Sequence, residues 1–327
     1  MENFSFGRYF AEINTLAELQ FMPGEKPYID RPSAAPDQKD LLLYLGCNVL
    51  RTAHLATAAI GVLKVMGFDF NAVGGPAHCC GIVHYQNNDA KGAHALAANS
   101  MRHFAKYGAT TVLMWCPSCS EHYDEVVTKE QNIAFRYEHV TAFIARHLDR
   151  IPFVRRLEKR VAMHYHMGHP QSELDWACTR KILQAIPGLD LIELENPATL
   201  GRHCNPKWIC QVGRVQWRQT ISGLLQRAKD ARVDILATLY HSCHREICQE
   251  ESRYPFAVVN YISLLGEAMG IEYPDVYKRH KLRADPDAAF DEMQEYVRAN
   301  RLDPVKVREV LRSAFAPACE PDPSNPS

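Results

Sequence analysis

Cysteines dominate the chemistry that this sequence offers. The chain has 11 of them in 327 residues. Five lie in three short groups, which are Cys47, Cys79-Cys80-Gly81 and Cys116-Pro117-Ser118-Cys119. Tetrahedral zinc and a cubane cluster each need no more than four thiolates. Five thiolates that converge on one place therefore favour an iron–sulfur cluster over zinc.

The composition indicates in which cellular compartment such a site would work. The formal net charge is -1, 46% of the residues are hydrophobic and 23% are charged, which predicts a globular protein without affinity for nucleic acid. No uninterrupted apolar run is long enough to cross a membrane, and the first residues do not resemble a signal peptide. We therefore expect a cytoplasmic protein. In that reducing compartment, clustered cysteines bind metal or do redox chemistry more often than they form disulfides.

The elements that position the five cysteines follow from hydrophobic patterning. Strands are predicted at 41–45, 68–73 and 110–115, and helices at 51–66 and 89–107 between them. This alternation is typical of a parallel sheet in an α/β fold. Each cysteine group follows a predicted strand, and the carboxyl ends of parallel strands meet at one edge, so the three groups should converge there.

The same order of elements returns in the second half of the chain. Residues 160–169 correspond to 40–47, Gly201–Pro206 to Pro76–Gly81, and the strand 233–239 ends in Tyr240-His241-Ser242-Cys243. The chain is therefore predicted to be an internal duplication. We expect two parallel-sheet domains in a pseudo-two-fold relation, at 39–150 and 151–272. An extended amino-terminal arm (1–38) and a helical and disordered tail (273–327) flank them.

The spacing of the first cysteine groups resembles that of the CCG domain, the cysteine-rich module of the B subunit of heterodisulfide reductases and its relatives. Thirty-one residues separate Cys47 from Cys79-Cys80-Gly81, and about thirty-five more precede Cys116-x-x-Cys119. The resemblance covers roughly residues 40–250. It implies that these five cysteines hold a non-cubane 4Fe–4S cluster, with Cys80 and Cys47 also taking part where substrate sulfur reacts.

The second half departs from this pattern. Aligned on the duplication, His169, Cys204, Asn205, Tyr240 and Cys243 stand where the five cysteines are expected. Soft ligands nearby still predict a second metal centre, which is zinc, a 2Fe–2S cluster or a 4Fe–4S cluster. Its candidate ligands are Cys204, Cys210, Cys243, Cys248 and His169. The alternative is that this half has lost its metal.

Other cysteines and histidines are interpreted more simply. Cys178 and Cys319 are predicted not to bind metal, and His164, His166 and His203 are interpreted as hydrogen-bonding or substrate-side groups. Near the first site, His78, His84 and His122 either move protons or donate to sulfur. Trp115 is predicted to shield the cluster.

The resemblance also implies a function. Family members make or break sulfur–sulfur bonds, in a disulfide or in sulfane sulfur, and work with a ferredoxin-like C subunit and a flavin-bearing A subunit. The altered second half resembles the second B-type subunit of heterodisulfide-reductase-like complexes of sulfur oxidisers. The sequence has no ferredoxin-type cysteine run, no GxGxxG and no flavin motif of its own, which indicates that electrons pass through partners.

Two alternative functions are compatible with the same sequence features. One is an electron-relay subunit of another CCG-type oxidoreductase that passes electrons from succinate, lactate or glycolate to quinone. The other is a non-catalytic assembly subunit with a structural metal.

Overall fold

The computed structural model describes residues 4–31, 36–194, 204, 209 and 211–315. The chain divides into two compact units. The first unit contains Met1–Ile151 and Met293–Val307, and the second contains Pro152–Glu292 and Arg308–Ser327. Among the described residues, no helix has both the length and the apolar character needed to span a bilayer.

A four-stranded parallel sheet forms the centre of the first unit. Its strands are β1 (Leu41–Tyr44), β2 (Asn71–Val73), β3 (Thr111–Met114) and β4 (Arg136–His139), in the order β2-β1-β3-β4. The side chains of Leu42, Leu43 and Tyr44 are fully buried, as expected of a central strand covered on both faces.

The second unit repeats this arrangement. Its strands are β5 (Lys159–His164), β6 (Leu189–Ile192), β7 (Ile235–Thr238) and β8 (Ala257–Asn260), in the order β6-β5-β7-β8 and all parallel. The predicted α/β class and the duplication of a parallel sheet are therefore confirmed.

Helices connect and cover the strands. Those of the first unit's main segment are α1 (Phe6–Glu18), α2 (Ala53–Val65), α3 (Ile82–Gln86), α4 (Ala90–Lys106), α5 (Pro117–His122), α6 (Thr128–Glu130) and α7 (Val140–Arg146). Those of the second unit include α8 (Pro170–Ala185), α9 (Arg214–Asp230), α10 (His241–Ile247), α11 (Tyr261–Ala268), α12 (Val276–Arg283) and α13 (Pro286–Glu292). The chain continues into α14 (Gln294–Ala299) and α15 (Pro304–Phe315). The helical character predicted for the carboxyl-terminal segment is thus present, and residues 316–327, including Cys319, lie outside the described part.

The amino-terminal segment corrects one expectation. Residues predicted to form an extended arm instead form the helix α1, which begins at an N-cap, where the Ser5 hydroxyl accepts from Arg8 N. The Ile13 and Leu16 side chains are buried, and Glu12 forms an ion pair with Arg51. The prolines at 23, 27, 32 and 36 all follow α1, so the irregular composition of the segment as a whole hides the helical spacing of the apolar residues before them.

The fourth strand of each sheet was not predicted from the sequence. β4 and β8 are four residues long and lie at a sheet edge. In β4 only His139 is buried, so the strand lacks the continuous apolar run that marks β1 and β3.

Candidate functional site

Two of the three cysteine groups follow neighbouring strands of the first sheet. β1 and β3 pair in parallel, with Tyr44 opposite Met114. Cys47 comes three residues after the end of β1. Cys116 comes two residues after the end of β3 as the N-cap of α5, and Cys119 lies within α5. The pairing of the two strands thus brings these segments to one edge of the sheet.

Cys79 and Cys80 reach the same edge through a tight backbone arrangement. A short 3₁₀ turn, Pro76–His78, precedes them, and Gly81 follows with a φ of +90°. The Ser100 hydroxyl on α4 donates to the Cys79 carbonyl oxygen at 2.8 Å. A side chain at Gly81 would place its Cβ 2.8 Å from the Cα of Ala93, which shows how closely this loop packs against α4.

The five thiols form one connected group. Cys47 hydrogen-bonds to Cys79, Cys79 to Cys80, Cys80 to Cys119 and Cys119 to Cys116. Their residues are between 1% and 7% exposed. The structure therefore brings together all five cysteines predicted to be ligands, in a connected series of thiols.

Electrostatics within this group favour partial ionisation. Hydrogen bonds from Cys47 and Cys80 hold the pKa of the Cys79 thiol well below its ordinary value, with help from Gly81 N, 3.4 Å from the sulfur. The hydrogen bond from Cys119 likewise lowers the pKa of Cys116. Thiolates are the form that binds metal, and a buried group of thiols can ionise fully only beside positive charge. This donor set therefore fits an iron–sulfur cluster.

Tyr44 and His78 lie next to the group of thiols. The Tyr44 hydroxyl lies 3.8 Å from the Cys119 sulfur and donates to the His78 carbonyl oxygen at 2.5 Å. Trp115 is 3% exposed. Burial, together with the nearby His103, lowers the pKa of His78 to about 4, so His78 is neutral at physiological pH.

Two further histidines lie within electrostatic reach of Cys79. Burial lowers the pKa of His122, while the charge of Cys79 opposes that shift. His84 lowers the pKa of Cys79, shares a hydrogen bond of 2.8 Å with Asp89, and stacks on Phe6 at 3.8 Å. His84 and His122 thus stand beside the most acidic thiol of the first site.

The second unit contains a different group of donors. Cys204 and Cys243, both predicted as ligands, lie with His164 and His166, and the ligand atoms of all four are within 4.8 Å of one another. The sequence predicts hydrogen-bonding or substrate-side roles for both histidines, whereas the structure places them among candidate metal ligands. The His-x-His spacing at the end of a buried strand is the signal that could have identified them.

The other predicted ligands of the second centre are placed elsewhere or not described. The Cys248 thiol donates to the Arg245 carbonyl oxygen at 3.7 Å, and His169 Nδ1 accepts from Gln171 N at 3.2 Å as the N-cap of α8. Neither belongs to the four-residue group among the described residues. Cys210, His203 and Asn205 lie outside the described residues.

Comparison with known proteins matches the first site to a family. Residues 41–123, which include all five cysteines of that site, match the model of the cysteine-rich domain, CCG. Residues 41–123 are thus similar to a CCG domain. The match covers β1 through α5, so the group of His164, His166, Cys204 and Cys243 lies beyond it.

Curated relatives extend the similarity past the CCG domain. The D subunit of the dihydromethanophenazine:CoB–CoM heterodisulfide reductase from Methanosarcina mazei is 25% identical over 251 residues, which are 72% of this chain and 60% of that protein. Its counterpart from Methanosarcina acetivorans is 24% identical over 250 residues with the same coverage. The matched stretch thus spans about 60% of the relatives' length.

A solved structure shares the fold. A hypothetical protein from Helicobacter pylori matches with a TM-score of 0.52 at 11% identity, covering 83% of this chain and 56% of that one. At this identity the similarity concerns the fold alone.

Proposed function

We propose that this chain is an iron–sulfur redox subunit of a heterodisulfide-reductase-like complex, which makes or breaks sulfur–sulfur bonds in a disulfide or in sulfane sulfur. The observation that carries this proposal is the series of five buried, hydrogen-bonded thiols in the CCG domain. The similarity to the D subunit of heterodisulfide reductases supports the same reaction class.

The five cysteines of the CCG domain would hold a 4Fe–4S cluster of the non-cubane type. When bound, such a cluster supplies one-electron transfer and a metal site for sulfur. Cys47 and Cys80 stand on either side of Cys79 in the series of thiols, and we assign them to the place where substrate sulfur is bound.

The chain's own residues would exclude water and manage protons. Tyr44 and Tyr123 are fully buried within electrostatic reach of Cys80 and Cys119, and would keep water from that side of the site. A thiol that leaves a reduced disulfide needs a proton. His84 and His122, both coupled electrostatically to Cys79, are the groups that would hold that proton.

Electrons would reach this site from partner proteins. We infer a ferredoxin-like C-type subunit and a flavin-bearing A-type subunit as partners, because the sequence lacks ferredoxin and flavin motifs of its own. The substrate would be a small disulfide or thiol, or sulfur carried on a protein.

The first experiment measures iron and acid-labile sulfide on anaerobically purified chain. We expect about four of each per chain, and a lower content with an altered spectrum in Cys80→Ser. Cys178→Ser, which changes a buried cysteine on α8 of the second unit, is the matched control and should leave both contents unchanged. Absence of iron after anaerobic reconstitution would contradict the proposed cluster.

A second experiment tests the reaction. The complex reconstituted with its partner subunits should reduce a small disulfide, or oxidise a sulfane donor, with an artificial electron carrier. A complex that contains the cluster but turns over no sulfur substrate would instead support the electron-relay function.

A further inference from the structure

We propose that the second unit binds one zinc ion through His164, His166, Cys204 and Cys243. This site goes beyond the proposed redox function, because it uses none of the five cysteines of the CCG domain. All four ligand atoms lie within 4.8 Å of one another.

The distances suit a single tetrahedral ion. His166 Nε2 lies 3.0 Å from the Cys243 sulfur, and His164 Nε2 lies 3.4 Å from the Cys204 sulfur. Tetrahedral zinc, with Zn–S near 2.3 Å and Zn–N near 2.0–2.1 Å, separates sulfur and nitrogen ligands by about 3.6 Å. These two pairs therefore need to separate by only about 0.2 to 0.6 Å to reach the tetrahedral distance.

The burial and the charges of the four donors agree with a zinc site of two cysteines and two histidines. His164 and Cys243 are 0% exposed, Cys204 is 1% exposed and His166 is 7% exposed. Isolated charge is costly in such an environment. Two thiolates and two neutral imidazoles cancel the charge of a divalent cation, so the filled site is neutral and needs no further counter-ion.

The scaffold holds the donors firmly. His164 is the last residue of β5, a central strand, and His166 follows two residues later. The ring of Tyr240 lies parallel to that of His166 at 6.1 Å, and its hydroxyl donates to Asp175 at 2.8 Å. Cys243 lies in α10. The ion would thus tie Cys204, which comes between β6 and α9 in the chain, to two packed elements.

The arrangement of donors argues against a Rieske-type 2Fe–2S cluster, which also uses two cysteines and two histidines. In such a cluster the cysteines bind one iron and the histidines the other, so the cluster separates the two kinds of donor. Here each histidine contacts a cysteine directly. Four protein ligands also leave no open position, which is typical of a structural zinc site.

The test measures bound zinc in the full-length chain and in variants. We expect about one zinc per chain, bound in wild type and in Cys248→Ser, and an affinity at least about a hundredfold lower in Cys243→Ser and His166→Gln. Cys248 is the matched control because its thiol is also buried, in the turn that follows α10, and contacts a carbonyl oxygen instead of the donor group. Competition with a chromophoric chelator gives the affinities.

A second measurement covers the possibility that a ligand variant fails to fold. Cobalt(II) added to metal-free wild type should give tetrahedral d–d bands with thiolate charge transfer, and X-ray absorption of the zinc form should show two sulfur and two nitrogen neighbours. Four sulfur neighbours, no thiolate band, or equal zinc loss in Cys248→Ser would overturn the proposal. Iron measured in the same samples reports on the CCG domain separately.

Discussion

Tyr44 and His164 occupy the same position in the two sheets. Tyr44 ends β1 and pairs with Met114, and His164 ends β5 and pairs with Thr238. Each contacts cysteine sulfur: the Tyr44 hydroxyl lies 3.8 Å from Cys119, and His164 Nε2 lies 3.4 Å from Cys204. The exchange of a phenol for an imidazole turns a neighbour of the thiols into a potential ligand.

The phenol of the first site should support the site without binding metal. Tyr44→Phe removes the hydrogen bond to the buried His78 carbonyl oxygen, so we expect the free energy of unfolding to fall by about 1 kcal/mol. Bound iron should not change. Denaturant unfolding and iron analysis measure the two effects, with Tyr273→Phe, at an exposed position, as the control. A loss of iron would contradict this expectation and show that the hydroxyl helps to retain the cluster.

The glycine of Cys-Cys-Gly should be essential for cluster assembly. In Gly81→Ala the new Cβ would lie 2.8 Å from the Ala93 Cα, and the φ of +90° disfavours any side chain. Since the α4 backbone cannot yield, the loop with Cys79 and Cys80 should shift, and we expect most of the bound iron to be lost.

Gly67→Ala separates the effect of the close packing against α4 from the effect of the left-handed backbone. Gly67 has a φ of +79° but no atom within 4 Å of the added Cβ. We expect this control to cost about 1–2 kcal/mol of stability from the left-handed backbone alone and to keep its iron. Equal iron contents in the two variants would contradict the role assigned to the close packing at Gly81.

Helix α1 should contribute to the stability of the first unit. Leu16 is 2% exposed, so Leu16→Ala should lower the free energy of unfolding by about 2–5 kcal/mol through lost burial and a cavity. Val65→Ala, at a residue that is 45% exposed, is the control and should change it far less. Urea unfolding measures both. If Leu16→Ala lost as little stability as Val65→Ala, the segment would instead be a loosely attached arm.

The sheets and the convergence of the first cysteine groups could be predicted because their signals are local. The apolar run Leu41–Leu45 and the strand before Cys116 are short and unambiguous, and parallel strands bring their carboxyl ends together. The convergence of Cys47 and Cys116 follows from these two facts alone.

The donors of the second unit could not be chosen in the same way. Aligning the halves by motif placed His169 opposite Cys47, whereas the strand register puts Met167 there, three residues after His164. A shift of two residues in the loop after a strand leaves the sheet unchanged. It does change which side chains lie at the edge of the sheet where the donors meet. Residues after a strand end are therefore predicted less surely than the strand itself.

The pH dependence of stability should include a contribution from His280. Its side chain is buried in α12 beside Phe315. Burial and the charges of Arg279 and Arg283 lower its pKa, and Glu292, with an oxygen 3.7 Å from Nε2, acts in the opposite direction.

The sign follows from proton binding in the two states. Below about pH 6.5 the unfolded chain protonates this histidine, while the native protein resists protonation until a lower pH. The unfolded state then binds more protons, so stability should decrease as the pH falls through this range and should not depend on His280 above it. In His280→Gln this contribution is absent, and urea unfolding from neutral to mildly acidic pH should show a flatter profile than wild type. Identical profiles would mean that His280 is protonated equally in both states, contrary to its burial among arginines.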